Sequence, residues 1–253
     1  RLLSPVASED KFLELAVEVL FWPVVACLVL TGIHSYLGLH VVLRGVIFVD
    51  LALAQIAAMG ATFAFLLGYP EGGNQAYFYS LLFAVIGAAI FSILRLREQQ
   101  IPQEAIIGIS FVLASAAVIL IAGLTAEGAE HLRETMTGTL IWVGWGDIWR
   151  LAGVYAVLGV FHFVMRKRFL RVTFDPESAE NVKASDFLFY LSFGVMISFS
   201  VEIAGVLMVF SALVIPAVIA FLYTNHFGRA LLIAWAAGAV AIVGGIGTSF
   251  YLD

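Results

Sequence analysis

From Leu39 to Gly68 the chain reads LHVVLRGVIFVDLALAQIAAMGATFAFLLG, with one arginine, one aspartate, one glutamine and otherwise enough apolar length to cross a bilayer. A hydrocarbon core of ~30 Å needs about 20 apolar residues of helix. Gly45 to Gly68 supplies that length, with Arg44 at its entrance and Asp50 and Gln55 inside. An intramembrane polar group is costly, so both side chains are expected to face protein or water rather than lipid.

The same pattern recurs along the chain. Apolar runs over Leu15–Leu43, Gly45–Gly68, Tyr77–Leu94, Ala105–Leu124, Ile148–Met165, Phe187–Val201, Gly205–Tyr223 and Ala230–Tyr251 predict about eight transmembrane helices. Only Glu202 and Gly205 interrupt the sixth and seventh, and Phe187–Tyr223 is too long for one span, so a short turn is expected there. With 62% hydrophobic residues, 12% charged residues and a mean hydropathy of +1.02, the chain cannot be a soluble domain built on one core. The expected fold class is all-α and polytopic, a single transmembrane domain over 1–253 with an external segment at 1–14.

Charge and cysteine usage narrow the function classes. The net charge of -5 is dispersed and no basic run exceeds Arg166-Lys167-Arg168, which sets aside a nucleic-acid partner. The lone Cys27 excludes an internal disulfide and a cysteine-based metal cage. The opening RLLSPVASEDKF has no Met and no signal-peptide pattern, so the first hydrophobic helix is expected to direct insertion. Arg44, Arg95, Arg97, Arg166, Lys167, Arg168, Arg171, Lys183 and Arg229 fall on one side of the predicted spans, and Arg1, Lys11, Arg133 and Arg150 on the other. The positive-inside rule then puts both termini outside.

Local chemistry marks several further positions. Ala54, Ala58 and Thr62 form a small-residue stripe suited to close helix approach, as do Gly238, Gly244, Gly245 and Gly247 in the last span. Pro216 removes one helix hydrogen bond and predicts a kink or break in the seventh span. In the inside loop at 166–186, Asp175 suits an N-cap, Pro176 the first helical position and Glu177 the positive helix end. The short helix so predicted ends near Lys183 and is either a partner-docking surface or a solvated connector. Outside, Glu127, Glu130, His131 and Glu134 share one helical face, as a cation site or a solvated surface. His34, His40 and His162 fit no two-histidine ligand spacing and read as satisfied or interfacial residues, and His226 as solvated. Neither GxxxxGK[ST] nor HExxH occurs, which argues against an ATPase or a metallohydrolase; an intramembrane enzyme using Asp50 or Glu202 is the competing class.

The order LGLHVVLRGVIF, ALAQIAAMGATFAFLLG, QEAIIGISFVLASAAVILI, TGTLIWV, TFDPESA, EIAGVLMVFSALVIPAVIA resembles the membrane permease subunit of the ABC-type zinc, manganese and iron importers. The resemblance runs from about Leu20 to Tyr223. It implies an ABC importer permease fold, a second copy of the chain, cytoplasmic ATPase subunits that hold the ATP, an external metal-binding protein, and a bacterial plasma membrane location. The chain itself would hold no cofactor; a divalent metal would be its cargo, or alternatively a chelated or other small solute. Asp175, Pro176, Glu177, Ser178 and Glu180 would form the segment that couples to the ATPase, and Glu104, Ala105, Ile107 and Gly108 would open the helix after the second inside turn. Where the family carries Gly-Asp and a His four residues on, this chain has Asp50, Leu51 and Gln55. Five residues put Asp50 and Gln55 roughly 140° apart on a helix, so one ion does not easily take both. Glu202 is then the expected partner of Asp50 along the metal path, in a set of oxygen ligands suited to a hard divalent ion. The competing readings are an Arg44–Asp50 pair and a solvated Glu202.

Overall fold

The computed structural model describes residues 5–70, 73–94, 101–124, 128–138, 140–176 and 181–252, and every regular element among them is helical. In chain order these are α1 (Pro5–Leu43), α2 (Val49–Leu66), α3 (Asn74–Leu94), α4 (Gln103–Ala122), α5 (Gly128–Thr137), a 3-10 turn (Leu140–Trp142), α6 (Trp145–Phe174), α7 (Val182–Tyr223) and α8 (Phe227–Leu252). All except α5 and the 3-10 turn are long and apolar enough to cross a membrane, α1 from Val19 onward, which makes seven. The predicted eight arise because α7 counts once by continuity but twice by direction.

At 42 residues, α7 would measure ~63 Å as a straight helix, twice the hydrocarbon thickness. Gly205 is its one residue with non-helical dihedrals, φ 73° and ψ 161°. Before Gly205 the helix runs antiparallel to α1: Arg44 bonds Asp186, His40 packs on Phe189, and His34 packs on Tyr155, which bonds Ser200. Beyond Gly205 it runs parallel to α1, with Cys27 against Met208 and Gly38 against Leu213 and Ala217. The expected turn is therefore present, made by one residue. The expected break at Pro216 is not: the backbone stays helical there, and the buried proline lies against Gly238 of α8. A membrane helix tolerates proline where neighbouring helices enclose it.

Two boundaries also move. The fifth span does not stop at Met165; α6 continues to Phe174, so Arg166, Lys167, Arg168 and Arg171 ride on its cytoplasmic end. Arg166 donates to the Phe163 carbonyl and covers the Phe163 ring at 4.0 Å, which lets the charge stay wet while the stem lies on apolar surface. The short helix expected from Asp175 to near Lys183 falls mostly outside the described residues; α7 begins at Val182, after an N-cap, Asn181, with left-handed dihedrals.

The enclosed element is α2, surrounded by α3, α4 and α7. Its small residues make that possible: Ala54, Ala58 and Thr62 are all buried, and a Cβ at Gly60 would collide with the Tyr79 carbonyl of α3. Bulk is concentrated along α7, where Phe189 packs on Phe169 of α6, His40 of α1 and Phe193, and Tyr190 lies against Phe91 of α3 and accepts from Gln103 of α4. Large apolar side chains on α4 and α6, such as Leu113, Leu120, Val157 and Phe163, remain exposed, as lipid-facing positions require.

Candidate functional site

Asp50 lies in the first turn of α2 and is 1% exposed. No side chain bonds its carboxylate oxygens among the described residues, and the donors that act on them are the backbone amides of Asp50 and Leu51 at the helix start. Phe48, the N-cap of α2, has no side chain able to cap, and its amide instead donates to Glu104 Oε1 from α4 at 3.3 Å. Glu104 thus acts as a cap supplied from a neighbouring helix, and its second oxygen, Oε2, is buried and unpartnered. Its charge acts on Asp50. The family resemblance placed Glu104 at a helix start, but nothing in the sequence associates it with the start of α2, because 56 positions separate it from Phe48.

The alternative Arg44–Asp50 pair does not form. Arg44 Nη1 bonds Asp186 Oδ1 at 2.9 Å, with both side chains about 1% exposed, and its guanidinium lies 3.9 Å above the Phe189 ring. Arg44 Nε donates to Thr173 Oγ1 at 3.0 Å, and His40 Nδ1 is 2.9 Å from the same oxygen. Thr173 Oγ1 therefore accepts from the arginine and shares a second hydrogen bond with His40, as donor or acceptor according to the imidazole tautomer. This network ties the cytoplasmic ends of α1, α6 and α7 together. Asp186 is a residue that sequence reading missed; Lys-Ala-Ser-Asp reads as loop until its arginine partner is located.

Gln55, one and a half turns beyond Asp50, is 3% exposed, with Nε2 4.0 Å from the Met136 sulfur. Met136 belongs to α5, whose end is seated in the bend of α7. Gly138 and Gly205 both have positive φ, and a Cβ on Gly205 would stand 2.5 Å from the Gly138 nitrogen and the Met136 carbonyl oxygen. The external connection therefore reaches down to the depth of Gln55.

Glu202 is exposed at the outer bend of α7, three residues before Gly205. Tyr77 donates a hydrogen bond to its carboxylate, and Arg150 lies 4.1 Å above the Tyr77 ring and 5.7 Å from that of Phe199. Together with Trp142, Asp147 and Ile203 these residues line a pocket of about 90 Å³. The structure does not bring Glu202 to Asp50. Tyr77, beside Glu202, and Phe91, whose carbonyl accepts from Gln103 next to Glu104, lie at opposite ends of α3. The 14 positions between them are ~21 Å of helix. Asp50, Gln55 and Glu202 thus lie at successive depths, not in one ligand set. Among the described residues no group of three or more His, Cys, Asp or Glu side chains is placed to hold a metal.

The remaining candidates are structural or lie outside the described residues. Asp175 ends α6, its amide bonding the Arg171 carbonyl at 2.8 Å, and Pro176 follows in a turn. Glu177, Ser178 and Glu180 fall outside the described residues, as do Glu127 and the side chains of His131 and Glu134. Glu130 is hydrogen-bonded by Arg133, which holds its carboxyl below the usual range. His34, His40 and His162 are buried rather than interfacial, and each is bonded through one ring nitrogen, to Leu30 O, Thr173 Oγ1 and Ser192 Oγ. His226 is exposed.

Comparison with known proteins identifies the bundle. The chain is 28% identical over 226 residues to the chelated iron transport system membrane protein YfeC of Yersinia pestis, covering 88% of this chain and 74% of that protein. It is 23% identical over 231 residues to the manganese transport system membrane protein MntC of Halalkalibacterium halodurans, covering 89% and 77%. The fold matches the solved structure of PsaBC from Streptococcus pneumoniae in complex with Fab, with a TM-score of 0.73 at 19% identity over 96% of this chain and 91% of that one. A family model described as the ABC 3 transport family matches residues 16–253. Spanning nearly the whole bundle, that match establishes that the chain belongs to the ABC 3 transport family.

Proposed function

We propose that the chain is the permease subunit of an ATP-driven importer of divalent transition-metal ions, with zinc, manganese and iron as the candidate cargoes. The observation that carries the reading is the family match across 16–253, joined to an enclosed helix, α2, that buries an acid, Asp50, in its first turn. Lipid-embedded carboxylates persist where they meet a cation, a donor or a proton. The names of the iron and manganese relatives support the cargo class. A chelated or other small solute is the second reading, favoured by the chelated-iron relative.

In this reading two copies of the chain form the path, in a bacterial plasma membrane with both termini outside. An external binding protein delivers cargo, and cytoplasmic ATPase subunits supply the energy. Glu202 lies at the outer mouth of the path, Gln55 midway and Asp50 toward the inner mouth. The ATPase grips the segment formed by Asp175, Pro176, Glu177, Ser178 and Glu180. That segment joins α6 to α7, and α6 spans ~45 Å from there to the outer pocket. Because Arg168 bonds Ser185 and the Arg44–Asp186–Thr173 network joins α1, a push on the segment moves three helix ends as one body. At the far end of α6 the same motion displaces Arg150 from Tyr77 and Phe199, opening or closing the outer mouth.

The test is ATPase activity of the complex reconstituted with its binding protein, compared across zinc, manganese and iron for the native chain, Asp50→Asn and Glu202→Gln. Metal-stimulated hydrolysis, weakened by the substitutions, is the expected result. Hydrolysis indifferent to every metal overturns the cargo assignment, and unchanged cation response in both variants overturns the path.

A further inference from the structure

We propose that the C-terminal end of α6 carries a docking face for an anionic phospholipid, with Lys167 and Arg171 holding its phosphate. The face is one stripe along the helix. Val157, Val160, Phe163 and Val164 are 64% to 71% exposed, as positions against lipid tails require. At 100° per residue, those four and the exposed Lys167 and Arg171 all fall within a sector of about 120°. The eight positions from Phe163 to Arg171 measure ~12 Å along the helix, so the stripe passes from tails into headgroups. The opposite side of α6 is committed to the bundle: Phe169 packs on Phe189, Arg168 bonds Ser185, and Thr173 accepts from Arg44.

Charge selects the kind of lipid. Lys167 and Arg171 stand four positions apart, where two cations on a helix repel each other. Among the described residues neither side chain forms an ion pair or a hydrogen bond. Arg166 adds a third cation at the boundary of the apolar part, over the Phe163 ring. A phosphodiester between Lys167 and Arg171 offsets their repulsion while its acyl chains follow the valines and Phe163 along the same stripe. The basic stems suit this, burying methylenes while the charge stays at the headgroup layer. A zwitterionic lipid brings its own ammonium to a face that is already positive, and is the poorer ligand. An acidic protein surface would answer the charge but not its continuity with the lipid-facing stripe. That the leaflet is the cytoplasmic one, and that the lipid sets the height of the Asp175 segment, rests on the transport reading above; that the face binds anionic lipid does not.

The experiment is native mass spectrometry of the full-length chain released from detergent, titrated with phosphatidylglycerol or with phosphatidylcholine of the same acyl chains. The readout is the dissociation constant of the first bound lipid. The native chain is compared with Lys167→Gln, Arg171→Gln and their double variant, each confirmed as folded by its thermal melting curve. A control, Lys183→Gln with Arg229→Gln, removes the same charge from two other exposed positions. The native chain is expected to prefer phosphatidylglycerol. Each single substitution should weaken that lipid about fivefold and the pair about thirtyfold, as for basic residues at an anionic surface. Phosphatidylcholine binding and the control should stay as in the native chain. Equal native affinity for the two lipids overturns the proposal without recourse to any variant. So does an equal loss in the control, which means diffuse charge and not a site. Co-purification with the ATPase subunit should survive in the double variant; its loss with lipid binding unchanged assigns the face to a protein and overturns the proposal. Failure of lipid preference leaves the transport reading intact, and hydrolysis indifferent to metal leaves this face intact.

Discussion

Arg44 and Asp186 put a full ion pair into the cytoplasmic side of the bundle at 2.9 Å, each about 1% exposed. Such a pair gains little over a well-packed apolar substitute, because desolvation offsets the attraction, but losing one member strands a charge. Asp186→Ala is therefore expected to destabilise the chain by about 3–5 kcal/mol. The double variant Arg44→Met, Asp186→Leu should recover most of that loss, and thermal melting in detergent separates the two outcomes. If the single and double variants melt alike, the pair is not what holds these helix ends. Tyr155 gives a milder case. Its hydroxyl reaches Ser200 at 2.5 Å between α6 and α7, and because Ser200 keeps its bond to the Met196 carbonyl, Tyr155→Phe should cost about 0.5–1.5 kcal/mol, that of one lost hydrogen bond.

Among the helices, α7 depends most on a single position. Gly205 takes φ 73°, and a side chain there would also press on the Met136 carbonyl and the Gly138 amide. Gly205→Ala should cost more than the ~1–3 kcal/mol of an unfavourable dihedral alone, since it also lifts α5 from its seat. Gly138→Ala should act in the same direction, and combining the two should cost less than their sum, because both disturb one contact. Additive losses in melting temperature would show that the two glycines act independently. The helix α2 makes the complementary point. Its stripe of Ala54, Ala58 and Thr62 was legible from four-residue spacing alone, and all three are buried as that spacing requires.

At the scale of the molecule, a push at the Asp175 segment has a continuous route through α6 to the pocket of Glu202 and Arg150. Replacing Asp175–Glu180 by a Gly-Ser linker is expected to abolish co-purification with the ATPase while leaving the chain folded, as read by size-exclusion chromatography and melting temperature. Retained association with full coupling would sink the lever. The number of spans was legible from apolar length, because lipid accepts few alternatives to a helix of about 20 residues. Helix ends were not. Arg166 to Arg171 read as a loop from charge alone, yet stay on α6 because long basic side chains let a helix project beyond the apolar layer.

Composition and run length determined that this chain is a helical membrane bundle, and the order of its motifs pointed to its family. Both are properties that each segment carries locally. What only the tertiary structure decided was partnership: Arg44 with Asp186 rather than Asp50, Glu104 with the Phe48 amide, and Gly138 with Gly205. Those pairings join residues 56 to 142 positions apart, and a helix period reports which face a residue occupies, never which helix will meet it.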